Sequence, residues 1–178
     1  GNTPLEIREA VYSCALYMGW PRTLTPVGAM DEAFESQGIT LPLEDAATVS
    51  ADEREDAGAD IQAPLYGDEV KAVFSKLPGV FGEFVPHLLT ADSFGYFYTR
   101  RDLDVKTREM LSVVILAAMG AATQLKAHIS GALKAGNSLL ELTAALVQAL
   151  PYIGIPNAFS ALIMIANYDE NGSHEAYR

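Results

Sequence analysis

The chain has 178 residues, 49% of them hydrophobic, and sets 12 Lys and Arg against 23 Asp and Glu for a formal net charge of -11. That length holds one domain with a substantial core or two small ones, and the apolar fraction excludes intrinsic disorder. The acidic balance repels nucleic-acid phosphates and anionic lipid, which excludes DNA, RNA and acidic membrane surfaces as natural partners. The single cysteine, Cys14, leaves no internal disulfide and no Cys-x-x-Cys pair, a usage suited to a reducing, cytoplasmic compartment. No secretory or transit segment is expected at the start.

In chain order, Thr3 with Glu6 reads as a capping box that opens a helix. Apolar residues then recur at helical spacing until Gly19, and Pro21 fits the first turn of a second helix. Thr40 to about Ser50 reads as an extended linker. Ser50 with Glu53 suggests another capped helix, weakened by Gly58 and Pro64. A short helix is expected over Val70 to Leu77, followed by a Pro78-Gly79 turn. The aromatic run around Phe94, Tyr96, Phe97 and Tyr98 falls in a helix over 86–100. Asp104 caps the clearest helix, Val105 to Met119, and Gly120 ends it. Ala121 to Lys134 forms the next. Almost nothing reads as strand, so the fold class is all-α, with short connections between antiparallel neighbours.

Leu142 to Tyr168 contains no charged residue and is long enough to span a bilayer. Pro151, Gly154 and Pro156 interrupt it, however, and two buried helices joined by a tight break fit better than one membrane span. The same stretch reveals self-similarity. Gly1-Asn2-Thr3-Pro4-Leu5-Glu6-Ile7 aligns with Gly136-Asn137-Ser138-Leu139-Leu140-Glu141-Leu142 at an offset of 135, and the register carries Tyr17-x-Gly19-x-Pro21 onto Tyr152-x-Gly154-x-Pro156 without a gap. Each copy ends in an antiparallel helix pair.

Glu109 and His128 are the leading candidates for chemistry. If the helices around Gly120 form a hairpin, the two lie within about two turns of each other along it. A carboxylate holding one imidazole nitrogen leaves the other free for proton transfer near neutral pH. Spacing leaves open the alternative of a surface-paired glutamate and a half-buried histidine. Arg108 beside Glu109, Lys126 on the next helix, and Tyr152 at the helix break are candidates for substrate binding, against an ion pair for Arg108 and packing for the tyrosine. Arg100 and Arg101 point apart and read as a solvated helix end. His87 and His174 make no ligand spacing with His128, so no metal is expected. Cys14 reads as an inert buried thiol.

Leu103-Asp-Val-Lys-Thr-Arg108-Glu109-Met-Leu, Leu116-Ala-Ala-Met-Gly120, Gln124-Leu-Lys-Ala-His128, Gly131-Ala-Leu-Lys-Ala-Gly136, Glu141 and Tyr152-Ile-Gly-Ile-Pro156 together resemble the carboxymuconolactone decarboxylase family, within the alkylhydroperoxidase D-like superfamily. The resemblance implies an all-helical bundle that assembles with itself into trimers or hexamers, burying Leu142 to Tyr168 between copies. The first copy, with Glu6, Arg8, Glu9 and Arg22, would then lie nearer solvent. It also implies the division of the chain: residues 1–36 as the C-terminal half of a first unit, 37–66 as a linker with an acidic segment, and 67–178 as a complete unit. That division leaves the first unit's front either outside this sequence or borrowed from a neighbouring chain.

The peroxidase branch of the superfamily needs Cys-x-x-Cys-x-x-x-His with an upstream glutamate. Here Glu109 and His128 stand in those positions, but the cysteine positions are Ala121 and Gln124. Without a thiolate there is no nucleophile for a peroxide. The resemblance therefore implies a lyase: cofactor-free decarboxylation of a small lactone or related carboxylic acid, with His128 as general acid, Glu109 orienting it, and Arg108 or Lys126 holding the substrate carboxylate. Two alternatives stand beside it, a thiol peroxidase using Cys14 and a non-catalytic oligomeric small-molecule-binding protein.

Overall fold

The computed structural model describes residues 1–168, and every regular element among them is a helix. Helices α1 (Pro4–Met18) and α2 (Trp20–Ser36) open the chain. Thr3 Oγ1 accepts from Glu6 N at 3.1 Å while Glu6 Oε2 accepts from Thr3 N at 2.6 Å, so the expected capping box satisfies two otherwise free amides. Gly19, at φ +76°, stops α1 in a conformation that side chains resist. At the other end of the chain, α8 (Leu139–Ile153) and α9 (Ile155–Ala166) start and break in the same way: Ser138 and Glu141 form the capping box, and Gly154 stands at φ +82°. The uncharged stretch is thus divided into two short helices, and among the described residues no helix is long and apolar enough to cross a membrane.

Residues 37–50 form no helix or strand but are tied down. Arg8 Nη1 donates to Glu44 O at 2.7 Å, Arg101 N to Ala46 O at 3.0 Å, and Thr48 Oγ1 to Thr99 O at 2.6 Å. After one 3₁₀ turn (Ala51–Glu53), capped by Ser50 and Glu53, comes α3 (Arg54–Tyr66), with Gly58 and Pro64 inside it. The glycine that weakened the sequence reading is what packing needs here. Helix α3 crosses a π-helix (Leu88–Tyr98) so closely that a Cβ on Gly58 would collide with the backbone of Thr90 and Gly95, and one on Gly95 with the Arg54 carbonyl. Each glycine costs about 1 kcal/mol of helix propensity and permits backbone-to-backbone approach.

The aromatic segment was expected to be a helix, and it is one of the rare π type, a form frequent at functional sites. Before it lie α4 (Glu69–Phe74) and α5 (Phe81–His87), the latter starting earlier than the sequence suggested.

Helix α6 (Val105–Met119) begins where Asp104 Oδ1 accepts from Thr107 N at 2.7 Å and ends at Gly120 with φ +66°, and α7 (Ala122–Lys134) returns alongside it. Val113, Leu116, Leu125, Ile129, Leu142 and Leu146 form one core between α6, α7 and α8. Ala15, Leu65, Phe94, Phe97 and Tyr98 form a second, between α1, α3 and the π-helix.

One expectation about exposure reverses. Arg8 and Glu9, expected near solvent, are buried, because α1 lies against α6 and other charges meet them there. Within the single chain, the α8–α9 pair, expected to be covered by neighbouring copies, presents an apolar outer face with Leu140 77% and Tyr152 83% exposed.

Candidate active site

Glu109 on α6 and His128 on α7 meet across the hairpin, His128 Nδ1 standing 3.1 Å from Glu109 Oε2. The tight turn at Gly120 puts the two helices side by side and sets this contact. Glu109 is fully buried, while the His128 side chain keeps 15% of its surface open. Three tyrosines from three other elements close around the pair. Tyr66, the last residue of α3, donates from Oη to Glu109 Oε2 at 2.5 Å and lies 2.7 Å from His128 Nδ1. Tyr98, the last residue of the π-helix, donates to Glu109 Oε1 at 2.7 Å. Tyr17 of α1 bonds Ser112 Oγ at 2.5 Å, approaches Tyr98 Oη at 3.3 Å and meets the His128 ring edge-on with centroids 5.5 Å apart.

Counting protons fixes the roles. A tyrosine hydroxyl has one hydrogen, and the carboxylate takes that of Tyr66. The two contacts of His128 Nδ1 then need a proton on Nδ1 itself, which leaves Nε2 as the unprotonated nitrogen of the neutral ring. Burial, and then the negative charge of Glu109, push the pKa values of Tyr66 and Tyr17 well above the ordinary phenol range, and burial likewise raises that of Tyr98. All three therefore remain hydroxyl donors. Gly131, one turn beyond His128 on α7, makes room for this arrangement, since a Cβ there would collide with the Tyr66 hydroxyl and ring.

Of the five residues singled out from the sequence, the structure brings together Glu109 and His128. Arg108 does not join them. It is 1% exposed, and its guanidinium donates to Ser13 Oγ at 2.9 Å, Arg100 O at 3.0 Å and Leu103 O at 3.1 Å, with Glu9 Oε2 at 3.5 Å. Adjacent positions on a helix diverge, so Arg108 faces α1 while Glu109 faces α7. Lys126 is exposed on α7, and Tyr152 stands in solvent. Cys14 is half-buried, its Sγ directed at Ala10 O at 3.6 Å, and burial pushes the thiol above its usual range. His174 lies outside the described residues.

Sequence reasoning missed Tyr66, Tyr98, Ser112 and the role of Gly131, and named Tyr17 only as the counterpart of Tyr152. The aromatic run pointed toward Tyr98. Nothing local marks Tyr66, which reaches Glu109 across 43 residues of chain.

A second buried carboxylate lies close by. Glu9 Oε1 accepts from Arg8 Nε at 3.2 Å and from Arg8 Nη2 at 3.0 Å, and Glu9 Oε2 from Arg100 Nε at 2.7 Å. Burial works against this charge, but the Arg100 guanidinium, with Arg8 and Arg108, outweighs it and holds the carboxyl below its ordinary range. Arg100, read as part of a solvated helix end, is therefore buried in an ion-pair cluster, whereas Arg101 stays near the surface with Glu44 at 3.0 Å.

A groove of about 1050 Å³ runs between α1 and α6 and touches this region at Tyr98. Among the described residues, no three acidic, histidine or cysteine side chains converge as metal ligands.

Residues 85–166, from α5 through α9, match the model of the carboxymuconolactone decarboxylase family. The matched segment contains Tyr98, Glu109, Gly131 and His128 but neither Tyr66 nor Tyr17. No curated protein matches the chain.

Proposed function

From the premise that residues 85–166 form a carboxymuconolactone decarboxylase family domain, we propose that the protein decarboxylates a small lactone or related carboxylic acid without a cofactor, with His128 as its general acid and base. The observation that carries this reading is the contact of His128 Nδ1 with both Glu109 and Tyr66. It fixes the ring and turns Nε2 away from the carboxylate.

In a substrate whose carboxylate is conjugated through a double bond, the carbon–carboxylate bond breaks and carbon dioxide departs. The bonding pair passes into the conjugated system. The imidazolium Nε2–H of His128 then delivers a proton to carbon, and the neutral ring regains one from solvent. Glu109 stabilises the imidazolium by its charge. Tyr66 and Tyr98 supply the buried carboxylate with hydrogen bonds.

Arg108 is committed to Glu9, so it takes no part in substrate binding under this reading. A thiol peroxidase is disfavoured: Cys14 makes no contact with the pair, and its raised pKa lowers the thiolate fraction. A lone half-buried thiol supports a reducing, cytoplasmic setting. The uncharged outer face of α8–α9 supports self-association of copies.

The test is carbon dioxide release from a panel of unsaturated lactone acids. Turnover by the intact protein, lost in His128→Gln and retained in Cys14→Ser, is expected. Undiminished turnover in His128→Gln removes His128 from the mechanism, and loss in Cys14→Ser favours thiol chemistry.

A further inference from the structure

Glu109 takes one phenol on each of its oxygens, Tyr66 on Oε2 and Tyr98 on Oε1. The two phenols come from α3 and the π-helix, which cross where Gly58 and Gly95 let their backbones meet. A phenol hydroxyl sits at the far end of a rigid ring, so a small tilt of the ring carries the oxygen off its acceptor, and a hydrogen bond weakens steeply once it is bent or stretched. What grips the two rings therefore decides whether the carboxylate keeps both donors.

Phe94 grips both. Its ring centroid lies 5.7 Å from that of Tyr66 at an interplanar angle of 51°, and 4.9 Å from that of Tyr98 at 46°, inside the separations that aromatic pairs favour. Tyr66 meets His128 in turn, centroids 5.1 Å apart, so Tyr98, Phe94, Tyr66 and His128 form an unbroken run of rings. The other supports serve one phenol each. Ser112 and Tyr17 bond Tyr98, both at 3.3 Å. At Tyr66, Gly131 leaves room for the ring, and Lys134 Nζ ties down the end of α3 by donating to Leu65 O at 2.9 Å.

We infer that Phe94 is a positioning residue for the Glu109–His128 pair: it spaces Tyr66 and Tyr98 so that they close on the two oxygens of one carboxylate, and through Tyr66 it keeps the proton on His128 Nδ1. The inference rests on the reading of His128 as the general acid and base. Phe97 supplies the comparison that separates positioning from packing. It belongs to the same π-helix and the same core, and it is 7% exposed against 5% for Phe94. Its ring partners, however, are Tyr96 at 5.0 Å and Trp20 at 6.5 Å, neither of which bonds Glu109 or His128. Two equally buried phenylalanines thus serve the core alike, and one of them serves the site.

The test compares Phe94→Leu with Phe97→Leu in the whole 178-residue chain, each removing a ring and keeping an apolar side chain. Phe94→Met, whose flexible thioether fills irregular gaps, is the milder change should Phe94→Leu not fold. The readouts are the ring-nitrogen NMR spectrum of His128 at alkaline pH, thermal unfolding, and carbon dioxide release. Both Phe94 variants are expected to show a mixture of the two neutral tautomers, with kcat lower by about ten- to hundredfold and KM nearly unchanged. Phe97→Leu is expected to lower the melting temperature as far as Phe94→Leu does while keeping the parent tautomer and the parent kcat. A folded Phe94 variant with the parent tautomer overturns the inference, and so does equal relaxation of the tautomer in Phe97→Leu. The tautomer decides even where the parent protein releases no carbon dioxide, an outcome that defeats the decarboxylase reading alone.

Discussion

Glu9 and Glu109 are both fully buried glutamates, on helices that pack against each other, and they do opposite things. Glu9 is surrounded by guanidinium groups whose remaining hydrogens are fixed on backbone carbonyls of residues 44, 100 and 103 and on Ser13. None of these cations can give up a proton at ordinary pH, so the cluster serves only to hold α1 and the 100–104 turn onto α6. Glu109 is surrounded by two phenols and an imidazole. Its charge is satisfied by hydrogen bonds, and of these partners the imidazole is the one that keeps an open edge. Burial of a carboxylate therefore does not identify a catalytic one; the proton inventory of its partners does.

The largest effect expected separates the two by stability. Glu9→Gln leaves buried guanidinium charge uncompensated and should cost about 3–5 kcal/mol, lowering the melting temperature by roughly 10 °C in a domain of this size. Glu109→Gln removes no cation's partner and should cost only about 1–2 kcal/mol, while turnover falls by about 10²-fold or more. Thermal unfolding of both variants checks this, and equal destabilisation would erase the distinction.

Gly131→Ala sharpens the comparison from the packing side. The added methyl pushes Tyr66 off Glu109 at an overpacking cost of about 1–3 kcal/mol, and it should lower turnover while the Glu9 cluster is untouched. A crystal structure showing Tyr66 still bonded to Glu109 would break that link.

The smallest effect is on pH dependence. The Glu9 carboxyl is held below its ordinary range when folded, so the stability it contributes is complete above the unfolded value of about 4.3 and is lost as pH falls through the lower folded value. Acid unfolding followed by circular dichroism should therefore be shallower below about pH 4 in Glu9→Gln than in the parent protein. An unchanged slope would mean that the cluster does not hold Glu9 ionised.

The pairing of Glu109 with His128 was legible because it depends on one local feature, the glycine turn at 120, and on helical spacing on either side of it. The helix boundaries set by Asp104, Ser138 and Gly154 were legible for the same reason, being local backbone chemistry. Tyr66 was not, since its role is set by how α3 crosses the π-helix, and that crossing rests on Gly58 and Gly95, which in sequence look like defects. The π-helical hydrogen bonding carries no propensity signature of its own. Arg108 was misdirected by adjacency: lying beside Glu109 in sequence placed it on another face of the helix. The burial of Arg8 and Glu9 was missed because a repeated local pattern specifies the helix pair but not which of its faces is covered.

The central claim is that Glu109 and Tyr66 hold a proton on His128 Nδ1 and leave Nε2 for the substrate. The direct measurement is the ring-nitrogen NMR spectrum of His128, assigned among the three histidines by its loss in His128→Gln and recorded at alkaline pH, where the ring is neutral. The account predicts a protonated Nδ1 and a bare Nε2 in the parent protein, with the tautomer preference relaxed in both Glu109→Gln and Tyr66→Phe. A parent spectrum showing Nε2 protonated and Nδ1 bare would contradict it.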